Sequence, residues 1–185
     1  MPQVKGVSFK SVMSAVEALH GDAVAAGCLA ELAGDVGSAL RYRGIVATGW
    51  YPIEWYRALL HSVRNVVGQG EPGLYAIGRQ CAKQDMTGIY RLGFKLLAPE
   101  TVLGLSTRLF SNYYDTGKSR VIESRPGFAH VRWWDCAGFD RNMWCEAFGA
   151  AEMFMQLAGA ATIRSRPIWR SDNAHDAVEL TMHWV

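Results

Sequence analysis

The chain has 185 residues with 19 basic and 17 acidic side chains, a formal charge of +2, and half of its residues are hydrophobic. This composition suffices for a core without disulfide or metal staples, and the charges form no basic run of the kind that binds nucleic acid or a membrane surface. The four cysteines lack C-x-x-C spacing, and no segment approaches the roughly 18 apolar residues of a membrane span, so we expect free thiols in a cytoplasmic protein.

The first part of the chain, residues 1–117, is predicted to be mainly helical. Residues 9–19 have apolar side chains at helical spacing. Residues 24–40 are rich in Ala and Leu but are interrupted by glycines, which favours one or two short helices. Pro52 suits the first turn of another helix, which is predicted to continue through Val63.

A glycine-rich stretch, residues 68–73, is expected to end that helix. It matches Gly-x-Gly-x-x-Gly, but it follows a predicted helix rather than a strand and contains Pro72, so we interpret it as a loop and not as a dinucleotide site. Residues 74–97 return to helical spacing with possible breaks at two glycines. Pro99 is expected to open the next helix, which has an acidic first turn.

The second part of the chain, residues 118–185, changes period. Two β-hairpins with strands at residues 119–124 and 128–134 and at residues 162–170 and 178–185 enclose a helix at residues 139–157. No repeat or linker divides the chain, so we predict a single domain, residues 1–185. Its class is α+β, with N-terminal helices followed by an antiparallel sheet of β-hairpins and an intervening helix.

Several short strings carry a resemblance to a known family. They are Val4-Lys5-Gly6, Gly49-Trp50-Tyr51-Pro52 before a helix with Leu59-Leu60, and Tyr113-Tyr114-x-x-Gly117 before the first hairpin. With the order of elements, they resemble the myxobacterial family of uncharacterised proteins called DUF2378. That family is similar in plan to the 4-vinyl reductase (V4R) domain, the haem nitric-oxide-binding (H-NOX) domain and the TRAPP vesicle-tethering subunits. The resemblance implies a fold used for ligand binding or docking.

Two departures bear on the cofactors that this resemblance implies. H-NOX domains hold haem through a histidine on a helix and a Tyr-x-Ser-x-Arg motif, whereas residues 101–114 contain no histidine and the motif is absent. V4R domains that bind metal carry cysteines near the C-terminus, whereas residues 169–184 contain His175 and His183 but no cysteine. We therefore predict no haem or zinc of these kinds, and no cofactor.

Signatures of metal binding and of catalysis are also missing. His130 could meet Cys136, Asp135 or His183 in a mixed metal site, but the spacing of a zinc signature is absent. We therefore interpret the histidines as structural or exposed and predict no metal. Cys136 and Cys145 occur in no nucleophile elbow or cysteine-hydrolase string. We predict a non-enzymatic protein with buried inert thiols; an enzyme that used either cysteine would need an exposed thiol of low pKa.

The aromatic content is the most informative feature, with seven residues each of Trp, Tyr and Phe. Flat rings line pockets for apolar or ring-shaped ligands, but they also fill cores and interfaces. Because neighbours on a strand point to opposite faces, one of Trp133 and Trp134 faces the core and the other faces a helix, partner or ligand. The predicted ligand-binding residues are Trp50, Trp55, Tyr56, Tyr90, Phe94, Trp134 and Trp144.

These observations favour a small-molecule-binding or sensory domain with an aromatic-lined pocket, which signals through a partner or a homodimer. The alternative is a protein-interaction adaptor with a packed aromatic core and no ligand. The expected partners are an apolar or aromatic small molecule and a signalling protein or second copy, with no nucleic acid and no membrane span. Six arginines on or beside the predicted strands form either a docking stripe or a solvated face: Arg120, Arg125, Arg132, Arg164, Arg166 and Arg170.

Overall fold

The computed structural model describes residues 1–42, 44–86, 97–169 and 176–185, except the side chains of residues 106 and 107. Within these residues it has seven helices and six strands. The helices are α1 (Gly6–His20), α2 (Asp22–Glu31), α3 (Gly34–Arg41), α4 (Ile53–Val67), α5 (Gly70–Asp85), α6 (Pro99–Tyr113) and α7 (Arg141–Leu157). The strands are β1 (Gln3–Lys5), β2 (Trp50–Pro52), β3 (Lys118–Arg125), β4 (Phe128–Trp134), β5 (Arg164–Trp169) and β6 (Val178–His183).

The predicted α+β class is confirmed. The main sheet is antiparallel with the strand order β3-β4-β6-β5, so the two hairpins are joined by the pairing of β4 with β6. The helix α7 connects the two hairpins, as the periodicity predicts. A small second sheet pairs β1 with β2 and ties the start of the chain to the segment that leads into α4.

One predicted loop is partly wrong. Residues 68–73 are expected to form a loop, but α5 already begins at Gly70. Gly68 adopts a left-handed conformation (φ 70°) that ends α4, and the chain needs only one further residue before the next helix starts. Pro72 lies in the first turn of α5, where no helical partner exists for the N–H that proline lacks. Residues 87–96 of the helix predicted over 74–97 lie outside the described residues.

The helices α5 and α7 approach each other through two glycines. A Cβ atom on Gly78 would overlap the backbone carbonyl of Glu146, and one on Gly149 would overlap the backbone carbonyl of Tyr75. The two backbones are therefore in direct contact, and no other residue type fits at these positions without moving a helix. This contact determines where the cavity-facing side of α7 lies.

The alternation predicted for the last strand is confirmed with one exception. Val178, Leu180, Met182 and Trp184 are buried with the core, but Glu179, which the pattern places on the exposed face, is also buried. Its carboxylate lies 2.8 Å from His130 Nε2 and 3.8 Å from Arg132 Nε on the neighbouring strand. Cross-strand partners thus compensate for the burial of this acid.

The N-terminus of α7 is capped by Asp140. Its carboxylate accepts a hydrogen bond from the backbone N–H of Met143 at 2.9 Å and lies 3.3 Å from Arg57 Nε. Because loss of a cap leaves an orphan N–H, we expect Asp140→Ala to lower the free energy of unfolding by about 1 to 2 kcal/mol. Urea unfolding followed by circular dichroism measures this, and Asp140→Asn, which keeps the acceptor, should lose less. Equal losses in the two variants would contradict the capping role.

Candidate functional site

A cavity of about 120 Å³, partly open to solvent, lies where five helices meet the sheet. Its walls come from α1, α4, α5, α6, α7 and β4. Eight of the described lining residues are aromatic: Tyr56, Phe110, Tyr113, Tyr114, Trp133, Trp144, Phe148 and Phe154. Eight of the 21 aromatic residues of the chain therefore border one internal space.

The rings of this wall pack on one another. The Trp144 ring is fully buried, and its centroid lies 4.5 Å from that of Phe139, 5.8 Å from that of Phe148 and 5.9 Å from that of Trp133. Offset and tilted contacts of this kind add to the burial energy and restrict ring motion. The wall is thus a rigid surface contributed by α7 and β4, suited to holding a flat molecule.

The carboxyl group of Glu146 lies in this otherwise apolar wall. It accepts a hydrogen bond from the Tyr56 hydroxyl. Burial raises the pKa of Glu146 to about 7; the hydrogen bond from Tyr56 opposes this rise, and the negative charge of Asp85 adds to it. One hydroxyl donor occupies one of the roughly four acceptor positions of a carboxylate. Glu146 can therefore accept a further donor from a molecule in the cavity.

The tyrosines beside Glu146 remain protonated. Burial, followed by the negative charge of Glu146, raises the pKa of both Tyr56 and Tyr114 well above its ordinary value. A phenol in this state donates a hydrogen bond and carries no charge near neutral pH. The polar side of the cavity therefore combines an ionisable acid with neutral hydroxyl donors.

A second acid lies at the exposed rim. The Asp85 carboxylate, at the end of α5, accepts a hydrogen bond of 2.8 Å from Ser11 Oγ. Partial burial against the cavity raises the pKa of Asp85, and the bond from Ser11 opposes that rise. The described residues that line the cavity include these two acids and no Lys, Arg or His. The described part of the lining therefore favours positive charge.

The predicted ligand-binding residues divide into three groups. Tyr56 and Trp144 line the cavity and are brought together there. Tyr90 and Phe94 lie outside the described residues. The other three do not line the cavity: Trp50 is 37% exposed under Lys5 Nζ, Trp55 stacks on Tyr51, and Trp134 lies on the other face of the sheet near Arg132.

The lining residues absent from the sequence prediction include the three on which the chemistry of the site depends, Trp133, Glu146 and Asp85. Trp133, not Trp134, faces the cavity, because the alternation along β4 places Ala129, Val131 and Trp133 on the buried face. Glu146 had a visible signal, since it follows Met143 by three residues on the apolar side of its helix. Asp85 had no such signal, because it reaches the rim only where the end of α5 packs against α1.

A second, more open groove of about 420 Å³ lies on the other side of α7, between the starts of α5 and α7 and the strands β5 and β6. Its polar groups already pair with one another. Arg141 forms an ion pair with Glu71 and lies 4.8 Å above the Trp169 ring, and the Tyr75 hydroxyl lies 3.5 Å from Ser165 Oγ. The aromatic cavity, with its ionisable carboxyl, is therefore the stronger candidate site.

The outer face of the sheet is basic. Arg120 pairs with Arg132 across β3 and β4, and Arg164 and Arg166 occupy the same face on β5, opposite His183 and Thr181 of β6. All four arginines are exposed. Arg125, opposite Phe128 on β4, lies on this face too, so five of the predicted arginines share one surface, on the side of the sheet opposite the cavity; Arg170 lies outside the described residues.

All four cysteines are buried free thiols. Burial raises the pKa of Cys136 and of Cys145 to about 12, so at pH 8 only about one thiol in ten thousand is the reactive thiolate. We expect labelling by a thiol reagent at pH 8 to be at least about a hundredfold slower in the folded protein than in urea. Absorbance of the released chromophore measures both rates, and rapid labelling of either cysteine in the folded protein would contradict this expectation.

Metal-binding clusters and membrane-spanning helices are both absent from the described ranges. No group of three or more His, Cys, Asp or Glu side chains there could hold a metal ion. Likewise, none of the helices described has the length and apolar character that crossing a membrane requires.

Comparison with known proteins shows the fold. No family model and no curated protein matches the sequence. The structure, however, is similar to the Fe(II) unliganded H-NOX protein from K. algicida, with a TM-score of 0.74 and 10% identity over 98% of this chain and 96% of that chain. It is also similar to an H-NOX protein from S. oneidensis in the Fe(II)NO state, with a TM-score of 0.71 and 14% identity over 98% of this chain and 99% of that chain. The relation in plan to H-NOX domains is confirmed, whereas membership of DUF2378 stays a prediction.

Proposed function

We propose that this chain is a non-enzymatic, small-molecule-binding sensory domain whose ligand lies in the aromatic cavity. The observation that carries the proposal is a buried, ionisable carboxyl, Glu146, set among packed aromatic rings around an internal space. Pockets with mostly apolar walls and a few orienting polar groups are typical of ligand sites. The H-NOX-like fold also supports a ligand-binding function, because the H-NOX proteins in the comparison carry an Fe(II) centre and one of them binds NO.

The size of the cavity limits the ligand. A protein cavity of about 150 Å³ holds benzene. The space here is slightly smaller, about 120 Å³, and opens to solvent beside partly exposed residues of α6 and α7 such as Leu109 and Phe154. It therefore suits a molecule with one ring and a short substituent.

The residues present do not fit haem. The helix α6, which corresponds to the helix that the family resemblance associates with the haem-binding histidine, contains none. A porphyrin has four linked pyrrole rings, whereas the cavity takes one ring, and Trp144 fills the space beside it. The acidic propionates of haem would also face Glu146 and Asp85 without a basic residue among the described lining. No haem chemistry is therefore assigned to this chain.

Signalling is proposed to pass through β4. Trp133 forms part of the cavity wall, while its neighbours Arg132 and Trp134 lie on the opposite face, among the exposed arginines. A ligand that displaces Trp133 would shift this strand and alter the basic face, which is the surface proposed to contact a signalling protein or a second copy of the chain. Successive side chains of a strand point to opposite faces of the sheet, so a movement of Trp133 is passed directly to Arg132 and Trp134 through the backbone that they share.

The experiment is a thermal-shift screen of single-ring compounds with native mass spectrometry of the purified protein, together with a haem titration followed by absorbance near 400 nm. We expect stabilisation by some single-ring compounds and no stoichiometric haem complex. Ala151→Phe should abolish the stabilisation by filling the cavity, whereas Ala161→Phe, at an exposed position outside the cavity, should keep it. Absence of any stabilising or co-purifying ligand would overturn the proposal, and a stable dimer without ligand would favour the adaptor alternative.

A further inference from the structure

The described lining of the cavity contains acidic side chains but no basic ones. Glu146 supplies a carboxyl in the wall, Asp85 supplies one at the rim, and the lining residues described contain no cationic side chain to neutralise either of them. Buried acids in proteins are normally paired with bases or bound by cations, because an isolated buried charge is costly. None of the described lining residues supplies such a partner, so an ammonium group that enters the cavity would provide one.

The aromatic side chains of the lining also favour a bound cation. The negative faces of Trp and Tyr rings attract cations within about 6 Å of the ring centroid, and aromatic cages are a general solution for binding ammonium groups. Trp133, Trp144, Tyr56 and Tyr114 all border the space that the Glu146 carboxyl faces. An ammonium group at the carboxyl would thus lie beside ring faces, and the apolar body of the same molecule would occupy the rest of the cavity.

We infer, on the basis of the proposed function, that the cavity selects compact single-ring organic amines. The amine binds as the ammonium ion, with its nitrogen at the Glu146 carboxylate and its ring against the wall formed by Trp133 and Trp144. Asp85 at the rim attracts the cation on entry. Neutral rings of the same shape lack the ion pair. Carboxylates of the same shape are repelled by both acids.

Protonation of the site makes the affinity depend on pH. The groups that face Glu146 are Tyr56 from α4, Cys81 and Asp85 from α5, and Tyr113 and Tyr114 at the end of α6. The Tyr and Cys side chains stay neutral near pH 7, because burial raises the pKa of each. Below pH 7 the free Glu146 carboxyl holds a proton that must leave when the ammonium binds, so the affinity for an amine should fall as the pH falls.

The test uses four probes of nearly equal shape: benzylamine, benzyl alcohol, toluene and benzoate. Isothermal titration calorimetry at pH 8 should show benzylamine binding at least about tenfold more tightly than benzyl alcohol or toluene, and no binding of benzoate. Glu146→Gln keeps the shape and the acceptor for Tyr56, so it should weaken benzylamine at least about tenfold and leave toluene unchanged. Asp85→Asn should weaken benzylamine less, since it lies at the rim.

Toluene binding to Glu146→Gln also shows that the cavity of this variant is intact, and circular dichroism shows that the variant is folded. If toluene and benzyl alcohol bind the wild type as tightly as benzylamine, or if Glu146→Gln leaves benzylamine unchanged, the amine inference is wrong while the small-molecule function stands. Preferential binding of benzoate would likewise overturn the inference alone. If no probe and no compound of the wider screen binds, the proposed function itself fails, and the inference fails with it.

Discussion

Replacing Gly149 by alanine is expected to lower the free energy of unfolding by about 3 kcal/mol, the upper part of the usual range for overpacking. The added methyl group would overlap the backbone carbonyl of Tyr75 on α5, and a carbonyl on a packed helix cannot rotate away as a flexible side chain can. Gly78→Ala should have a similar cost, because its methyl group would overlap the backbone carbonyl of Glu146. Either variant separates α5 from α7, so it should also weaken binding in the cavity.

Chemical unfolding followed by circular dichroism measures these losses. Gly104→Ala is the matched control, since Gly104 lies within α6 and nothing lies within 4 Å of the position its Cβ would take. Alanine is a better helix former than glycine, so this control should gain about 0.5 to 1 kcal/mol. A change of the same sign at Gly149 and Gly104 would contradict the close helix contact.

The second large effect is a dependence of stability on pH that originates in Glu146. Burial raises the pKa of this carboxyl from 4.5 to about 7 in the folded protein. Between these values the folded state holds a proton that the unfolded state has released, so the free energy of unfolding falls as the pH rises through this window. The contribution is fully present below about pH 4.5, is lost by about pH 7, and amounts to roughly 3 kcal/mol for a fully buried group.

Unfolding free energies measured from pH 5 to pH 8 in the wild type and in Glu146→Gln isolate this contribution, because the amide does not titrate. The variant should gain stability relative to the wild type as the pH rises. Glu17→Gln removes a carboxylate from the exposed side of α1 and should retain the wild-type dependence on pH. Parallel curves for the wild type and Glu146→Gln would show that this carboxyl is not buried as described.

The two effects are linked to the proposed binding. Above pH 7 the free protein carries a buried carboxylate at a cost in stability, and a bound ammonium ion would offset that cost. Stabilisation by benzylamine should therefore be larger at pH 8 than at pH 6. The direct contact of Gly78 with the Glu146 backbone keeps this carboxyl in place against the cavity.

Much of the fold follows from local patterns in the chain. The helical spacing of residues 9–19 and 139–157, and the alternation from Val178 to Trp184, correspond to α1, α7 and β6. These periods can be predicted because a helix or strand must turn one side toward the core, and the side-chain period records which side. The boundary at Gly70 was missed, since two adjacent helices can share a glycine turn that resembles a longer loop.

By itself, the sequence determined the α+β class, the order of helices and hairpins, the absence of a haem-binding histidine on α6 and the aromatic content, because each of these depends on residue type or on periodicity along the chain. Only the tertiary structure decided which rings meet. It placed Tyr56 and Trp144 together with Trp133, excluded Trp50, Trp55 and Trp134 from the cavity lining, and brought Glu146 and Asp85 to one space. Such contacts join residues far apart in the chain, and they arise from the close approach of α5 and α7 at Gly78 and Gly149, which no local pattern encodes.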